Sequence, residues 1–477
     1  MSRGAAPRVA VFGIGLAAYW PQFDGLRERL AGYQDGIERR LEELGAEVVT
    51  AGLVDTPQAA RAAGETLASA RPELLLVYTA TYATSSQVLP VVQAVDAPVV
   101  VLNLQPTRTL HYEAMTTGEW LANCSACCVP EIAGALTRAA IRYRTVTGTL
   151  LDGDPAWAVL GEWLDAARAV HDLRGARIGF LGHTYPGMLD MYSDFTQVHA
   201  QTGAHVEVLE IDDLVARVES ADAAAVERKG DEIRDVFDLA DAGTDPIAAE
   251  ITPAVFDWSA RVAVGLDRLV EDFELDGLTY YYRGVGDNSA ERVGAGLIVG
   301  NSLLTARGVP AAGEGDLKTN IAMLLLDRLR AGGSYTEFYA LDFDEKFVLM
   351  GHDGPAHLAI ADGRPVARAL ALYHGKAGAG LSIEMNVRLG PVTILGLTQT
   401  ADGRLKLLAA EGESVAGPTF RIGNTNSRIR FPRDPGTFFD DWCAQGPTHH
   451  VALGIGHQVG RVRKVADLLA LELTVVA

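Results

Sequence analysis

Apolar and polar positions along the first hundred residues follow two alternating periods. Short apolar runs that end in glycine or polar residues, such as residues 8–15 (RVAVFGIG), are typical of buried parallel strands. Stretches with a helical spacing of apolar residues separate these runs, and residues 23–44 form the first. This alternation predicts a doubly wound parallel sheet. Its functional edge is expected at the carboxyl ends of the strands, where Tyr82 and residues 103–107 lie.

The same alternation starts again in the middle of the chain. Residues 174–182 (RGARIGFLG) form a strand-like run after a helical stretch, and residues 205–212 (HVEVLEID) form the next. A long, charge-rich helical region then leads to residues 276–284 (DGLTYYYRG), which read as a strand that ends in a polar turn. These elements predict a second Rossmann-like α/β domain.

The pattern changes after about residue 340. Short alternating runs separated by turns, residues 357–363 (HLAIADG) among them, predict antiparallel strands. Asp402-Gly403 between two such runs indicates a hairpin. We therefore expect a mostly antiparallel, barrel-like β domain that ends in a helix and a strand. A chain of 477 residues is too long to fold around a single hydrophobic core. We therefore predict three domains, at residues 1–172, 173–340 and 341–477.

Charge and hydropathy narrow the class of protein. The formal net charge of −20 argues against a nucleic-acid partner, since phosphate binding needs clustered lysine and arginine. No apolar run reaches the ~18–20 residues of a membrane-spanning helix. The N-terminus runs straight into a strand pattern without a separate apolar segment and cleavage site. These features predict a cytoplasmic protein that acts on a small molecule, with neither membrane nor nucleic acid as partner.

Three of the four cysteines stand together, at positions 124, 127 and 128. A C-x-x-C-C group can bind metal or exchange electrons. No second cysteine pair follows at a zinc-site spacing, and Cys443 is remote in sequence. The simpler interpretation is that these are small buried residues at a junction between a loop and a helix.

A glycine-rich turn at residues 13–18 fits the loose form of the dinucleotide fingerprint, which alone is a weak signal. The end of the second strand, residues 48–51, offers no acidic residue to hold a ribose, and Tyr19-Trp20-Pro21 follows where a long helix should begin. A nicotinamide oxidoreductase is therefore a minor alternative.

Two carboxylates and a histidine between residues 311 and 355 suggest metal chemistry. Glu314 lies between two glycines that let the backbone approach a ligand, just before an apolar helix. Glu337 lies where the chain leaves that helix for a strand, and His352 lies at a strand end. Each residue alone has an ordinary explanation: a helix cap, a solvent-exposed glutamate and a hydrogen-bonded structural histidine.

Together with the pair His449-His450, these residues form a set of ligand types that favours a metal site over the ordinary explanations. Two carboxylates with one or two imidazoles and no thiolate suit Mn²⁺ first, or Co²⁺, Fe²⁺ or Mg²⁺, better than structural zinc. Asp316, Lys318 and Asp353 are candidates to orient the ligands.

Five segments carry a family resemblance: GEGDLKT (313–319), SYTEFYALD (334–342), FVLMGHDG (347–354), HGKAGAG (374–380) and GPTHH followed by VALG (446–454). With them, most of the chain resembles the L-arabinose and L-fucose isomerase family of metal-dependent aldose–ketose isomerases. GEGD-x-KT is the most specific of these motifs. The resemblance implies a homo-oligomer, a trimer or hexamer, with pockets completed across subunits.

The resemblance also implies the ligand set, which is Glu314, Glu337, His352 and one of the final histidines. Direct alignment of the histidine pairs selects His450, with His449 in the pocket, whereas an ungapped alignment from Gly446 selects His449. We favour His450. The two glutamates would act as acid and base on a pentose or a 6-deoxyhexose through a cis-enediol. Tyr82 and Trp20 are further residues expected at the sugar. His374 and Lys376 are candidates to contact the sugar or the ligand shell, and a structural turn explains both equally well.

The chain departs from the family pattern in its first domain. Residues 124–134 (CSACCVPEIAG) replace a histidine-and-glycine motif, and Ala18-Tyr19-Trp20-Pro21 replaces a glutamine-bearing turn. Both changes affect the expected sugar contacts away from the metal, so they bear on the substrate and leave the reaction type unchanged. The principal alternative is a non-catalytic sugar-binding protein or sensor on the same scaffold.

Overall fold

The computed structural model describes residues 6–283, 288–371 and 380–477. The chain forms two compact units, Met1–His171 and Asp172–Ala477. The fold class predicted from the sequence is confirmed, since two parallel sheets with helices precede a mostly antiparallel sheet. The division into three domains remains an interpretation.

The first unit contains a five-stranded parallel sheet in the order β2-β1-β3-β4-β5. All six residues of its central strand β3 are buried, as expected for a strand with both faces covered. The strands are β1 (Arg8–Ile14), β2 (Glu47–Val54), β3 (Leu74–Thr79), β4 (Val99–Gln105) and β5 (Tyr143–Thr149). The helices are α1 (Leu26–Glu43), α2 (Pro57–Ser69), α3 (Leu89–Ala94), α4 (Thr117–Asn123), α5 (Val129–Arg138) and α6 (Pro155–Arg174).

The second unit begins with another parallel sheet. Its strands are β6 (Arg177–Gly182), β7 (His205–Leu209), β10 (Gly277–Tyr281) and β11 (Ala311–Ala312), with two short strands, β8 (Asp238–Leu239) and β9 (Ala248–Ala249), between β7 and β10 in the chain. The order in the sheet is β11-β10-β6-β7. The accompanying helices are α7 (Phe195–Thr202), α8 (Ile211–Glu219), α9 (Ala223–Val236), α10 (Pro253–Asp272), α11 (Ser289–Ala295), α12 (Ile298–Ala306) and α13 (Leu317–Arg328).

The C-terminal part forms a closed barrel, because six antiparallel strands pair in a ring. In ring order they are β12 (Ser334–Asp342), β13 (Phe347–His352), β18 (Thr425–Arg430), β17 (Leu405–Val415), β16 (Gly390–Gln399) and β19 (Val451–Ile455). A last strand, β20 (Glu472–Val475), adds to β17 in parallel. Helices α14 (Pro435–Cys443) and α15 (Val459–Leu469) accompany the barrel.

The predicted hairpin at Asp402-Gly403 is present, since it joins β16 to β17 and Gly403 has a φ of +82°. The strand predicted at residues 357–363 is wrong. Leu358–Ile360 form a 3-10 turn there, and Ile360 packs into the core without strand pairing of its own. A small sheet contains β8, β9, β14 (Val366–Leu370) and β15 (Ser382–Glu384).

Two further features bear on the sequence predictions. Strand β12 continues through residue 340, where the boundary between the second and third domains was predicted. Among the helices of the described ranges, none combines the length and apolar character that a membrane span requires.

Candidate metal centre

Three neighbouring barrel strands bring the candidate ligands to one end of the barrel. Strand β12 lies between β13 and β19, and Glu337 is opposite Gly351 in the register of β12 and β13. His352 is the last residue of β13, and His450 directly precedes β19. Strand pairing therefore gathers side chains that are far apart in sequence.

Glu314 reaches the same place from the second parallel sheet. It lies between β11 and the start of α13, in a turn where its own φ is +60° and that of Gly315 is +72°. A side chain at position 315 would meet the His183 carbonyl oxygen at 2.5 Å, so the turn requires glycine there. The non-glycine residue Glu314 holds a left-handed conformation, which is a strained arrangement that clusters at functional sites.

Glu314, His352 and His450 form a compact ligand group. The Glu314 carboxylate lies 4.0 Å from His352 Nε2 through Oε1 and 3.9 Å from His450 Nε2 through Oε2. One ligand atom from each of the three residues lies within 4.8 Å of the others. Burial raises the pKa of Glu314, with the charge of Glu337 adding to the effect and His450 opposing it.

His450 is fully buried, and its ring orientation is fixed by hydrogen bonds. Its Nδ1 lies 3.0 Å from Asp316 Oδ2 and 2.7 Å from the Tyr335 hydroxyl. The Tyr335 hydroxyl donates to the Gly313 carbonyl, so both partners of Nδ1 can accept, and Nδ1 carries the proton. The lone pair of the imidazole is then at Nε2, on the side that faces Glu314.

Asp316 anchors this arrangement from the N-cap of α13. Its carboxylate accepts hydrogen bonds from the backbone N–H and the hydroxyl of Thr319. Burial opposes ionisation of Asp316, but the hydrogen bond from His450 and the charges around it leave its pKa below the usual value. Asp316 is therefore an ionised acceptor that holds the His450 tautomer.

Glu337 makes a different contact from the one expected of a fourth ligand. Its Oε2 lies 2.7 Å from His449 Nε2, and with His450 these two residues form a second ligand group. The hydrogen bond to Glu337 raises the pKa of His449, which is 41% exposed. The structure thus brings three of the four predicted ligands together and places Glu337 beside them, paired with His449.

A cavity of about 830 Å³ opens over Glu314, Glu337 and His352. Several tyrosines line it, so its wall combines aromatic faces with hydroxyl groups, as in many small-molecule sites. Sequence reasoning did not identify them as site residues, although the run of three tyrosines at the end of β10 was a signal for it. They are Tyr185, Tyr280, Tyr281, Tyr282 and Tyr339.

The remaining candidates have different surroundings. Trp20 and Tyr82 belong to the first unit, where the Trp20 ring N–H donates to Asp55 and Tyr82 is 39% exposed. Lys318 is buried and donates to the Tyr192 carbonyl and the Ser193 hydroxyl. Asp353 lines the cavity. Lys376 and His374 fall outside the described residues.

Replacing Glu314 with glycine is expected to stabilise the metal-free protein. Glycine relieves the left-handed strain, which costs roughly 1 kcal/mol or more for other residues, and it also removes a carboxylate that burial disfavours. Urea unfolding in the presence of a chelator measures the effect. The matched control is Glu274→Gly, an exposed residue with a φ of +52° that offers strain relief alone. If Glu314→Gly stabilises the metal-free protein no more than Glu274→Gly does, burial of the Glu314 carboxylate does not lower its free energy of unfolding.

Fold and site together define a protein of parallel α/β sheets and a β-barrel, with a carboxylate–imidazole centre suited to a divalent metal ion. No protein-family model matches the chain. Curated relatives named L-arabinose isomerase do match. Those of Nocardioides sp. and Acidothermus cellulolyticus are each 26% identical over 80% of this chain and 76% of their own length. That of Klebsiella pneumoniae is 25% identical over 70% of this chain and 67% of its length.

The part of the predicted resemblance that concerns the L-arabinose isomerases is thereby confirmed. Among solved structures, an ABC transporter solute-binding protein from Actinobacillus succinogenes with bound D-allose covers 68% of this chain and 92% of its own, at 12% identity and a TM-score of 0.18. One from Agrobacterium vitis bound with α-D-tagatopyranose covers 60% and 80%, at 14% identity and a TM-score of 0.16. These TM-scores are too low to show a shared fold.

Proposed function

We propose that this protein is a metal-dependent aldose–ketose isomerase that acts on a pentose or a 6-deoxyhexose. Glu314, Glu337, His352 and His450 would hold one divalent ion, with Mn²⁺ the first choice. The names of the curated relatives support sugar isomerisation, and the carboxylate–imidazole group supports metal dependence. The observation that carries the proposal is the pair of buried ligand atoms on Glu314 and His450 that face each other across 3.9 Å.

The surroundings of these two atoms are better explained by a bound ion than by a metal-free protein. Over the described residues, Glu314 Oε2 and His450 Nε2 are both buried and neither has a hydrogen-bond partner. Buried polar atoms without partners are rare and costly. Divalent first-row metals bind nitrogen and oxygen at about 2.0–2.2 Å. Glu314 and His450 would therefore supply two of the ligands of one ion.

When bound, the ion would supply Lewis acidity toward the carbonyl and neighbouring hydroxyl oxygens of the sugar. One glutamate would remove the proton alpha to the carbonyl to give a cis-enediol, and the other would transfer the hydroxyl proton. Burial raises the pKa of Glu314, and the nearby charge of Glu337 adds to that effect. His449, paired with Glu337 and partly exposed, is suited to orient that carboxylate and to contact the sugar.

Turnover of a panel of pentoses and 6-deoxyhexoses with and without Mn²⁺ tests the proposal. We expect a ketose to form from at least one aldose, only when the metal is present, and a control reaction with Glu314→Gln to give none. Tight binding of a sugar without turnover would instead indicate the alternative, a non-catalytic sugar-binding protein.

Replacing Asp316 with asparagine is expected to weaken divalent-metal binding about 10–100-fold, the usual effect of losing a group that orients a ligand histidine. Asparagine can present its amide N–H₂ to His450 Nδ1, which disturbs the tautomer that directs Nε2 to the site. Titration of the apoprotein with Mn²⁺ measures the affinity. Asp212→Asn, at an exposed position on α8, is the control. Equal affinities of both variants would remove Asp316 from this role.

The resemblance extends to properties of the whole molecule. Assembly as a homotrimer or homohexamer, which the resemblance implies, and location in the cytoplasm, which the sequence predicts, are part of this proposal. Sedimentation of the purified chain measures the subunit number directly, and a monomeric active enzyme would contradict pockets completed across subunits.

A further inference from the structure

The turn between α4 and α5 in the first unit holds two cysteines whose sulfurs touch. Cys124 Sγ lies 2.6 Å from Cys127 Sγ, although both residues are free thiols. This separation exceeds an S–S bond of about 2.05 Å, so the two thiols are in contact without being bonded. Cys124 caps the end of α4 and Cys128 caps the start of α5, so helix ends on both sides fix the turn.

The two sulfurs differ in access to solvent. Cys124 is 5% exposed, whereas Cys127 is exposed. Burial, together with the hydrogen bond to Cys127, raises the pKa of Cys124 to about 12. An oxidant in solution therefore meets Cys127 first, and Cys124 is in place behind it as a second thiol.

The third cysteine is committed to other contacts. The Cys128 thiol is buried and donates to the carbonyl oxygens of Thr81 and Ser125. A structural zinc site needs four ligands. Among the described residues, no histidine, cysteine, aspartate or glutamate joins the Cys124–Cys127 pair in a possible metal-binding group. The arrangement therefore favours thiol chemistry over metal binding.

The pair also lies where a parallel sheet binds ligands. Thr81 follows the carboxyl end of β3, its carbonyl accepts from Cys128 and its hydroxyl donates to the Leu121 carbonyl of α4. The turn is therefore packed against the carboxyl edge of the first sheet, the edge at which open α/β sheets place their sites.

We propose that Cys124 and Cys127 form a reversible oxidation site that reacts with hydroperoxides. The Cys127 thiolate attacks one oxygen of the hydroperoxide, so an S–O bond forms, the O–O bond breaks and an alcohol or water leaves with a proton. The Cys124 sulfur then attacks Cys127, so the S–S bond forms and the S–O bond breaks, and water leaves with the Cys124 proton. Two thiols and one hydroperoxide thus yield one disulfide, one alcohol or water, and one water.

Peptide mapping of the full-length protein tests this site. The reduced protein is treated with hydrogen peroxide, unfolded, alkylated and digested with trypsin, which yields one peptide, residues 109–138, with all three cysteines. We expect this peptide to carry a single alkyl group, on Cys128, and to lack two hydrogens, and we expect a dithiol reductant to restore three alkylation sites. Alkylation of all three cysteines after peroxide, or a disulfide that includes Cys128, would overturn the proposal.

Variants separate the roles of the two thiols. In Cys124→Ser, Cys127 is expected to stop at the sulfenic acid and to be trapped by dimedone. Cys443→Ser, which changes the exposed cysteine at the end of α14, is the matched control and should form the same disulfide as the natural chain. Over-oxidation of Cys127 in the natural chain while Cys124 remains a free thiol would also contradict the proposal.

Discussion

Glu337→Gln is expected to lower the turnover of an accepted aldose by roughly 10³-fold, and Glu314→Gln by at least as much. An amide cannot accept the proton alpha to the carbonyl, and it is also a weaker ligand than a carboxylate for a hard divalent ion. Initial rates at saturating Mn²⁺ separate the loss of acid–base chemistry from a loss of metal. Circular dichroism verifies that each variant is folded.

Glu219→Gln is the matched control for both substitutions, because this glutamate is exposed at the end of α8. It should retain the turnover of the natural chain. Near-normal turnover of either Glu314→Gln or Glu337→Gln on the same sugar would show that the corresponding carboxylate has no part in the reaction.

Removal of divalent metal is expected to abolish turnover, and addition of Mn²⁺ is expected to restore it. Because Glu314 Oε2 and His450 Nε2 are buried without hydrogen bonds over the described residues, metal binding should also stabilise the fold. Mass action predicts about 2.7 kcal/mol at a free-ion concentration 100 times Kd. Unfolding by urea, with chelator and with Mn²⁺, measures this difference.

His450→Gln should lose the metal-dependent stabilisation, since His450 belongs to both ligand groups. His457→Gln, at an exposed position after β19, should keep it. Full turnover after exhaustive treatment with chelator, or equal metal-dependent stabilisation in the two variants, would contradict a metal centre at this place.

Local patterns in the sequence were sufficient to predict the fold class and most of the strands and helices. Apolar runs that end in glycine predicted β1 and β6, and Asp402-Gly403 predicted the hairpin between β16 and β17. The failure at residues 357–363 has a physical cause. Alternating apolar residues report burial of alternate side chains, and Ile360 achieves this burial in a 3-10 turn that packs against the core. The closure of the barrel depends on pairing between distant strands, which no local pattern encodes.

Only part of the candidate site could be predicted from the sequence. Glycine-flanked Glu314 and the histidine pair were visible as unusual local chemistry. Tyr335 was not, because a buried tyrosine in an apolar strand is indistinguishable from a core residue until its hydroxyl is found beside His450. The contact between Cys124 and Cys127 likewise depends on how α4 ends and α5 begins, so the sequence alone favoured an inert cluster.

Anomalous diffraction at the manganese absorption edge, from crystals grown with Mn²⁺, tests the proposed metal centre most directly. We predict one strong peak within ligand distance of Glu314, His352 and His450, with Glu337 turned from His449 to complete the set. A peak held by Glu337, His449 and His450 alone, or the absence of a peak near Glu314, would contradict it.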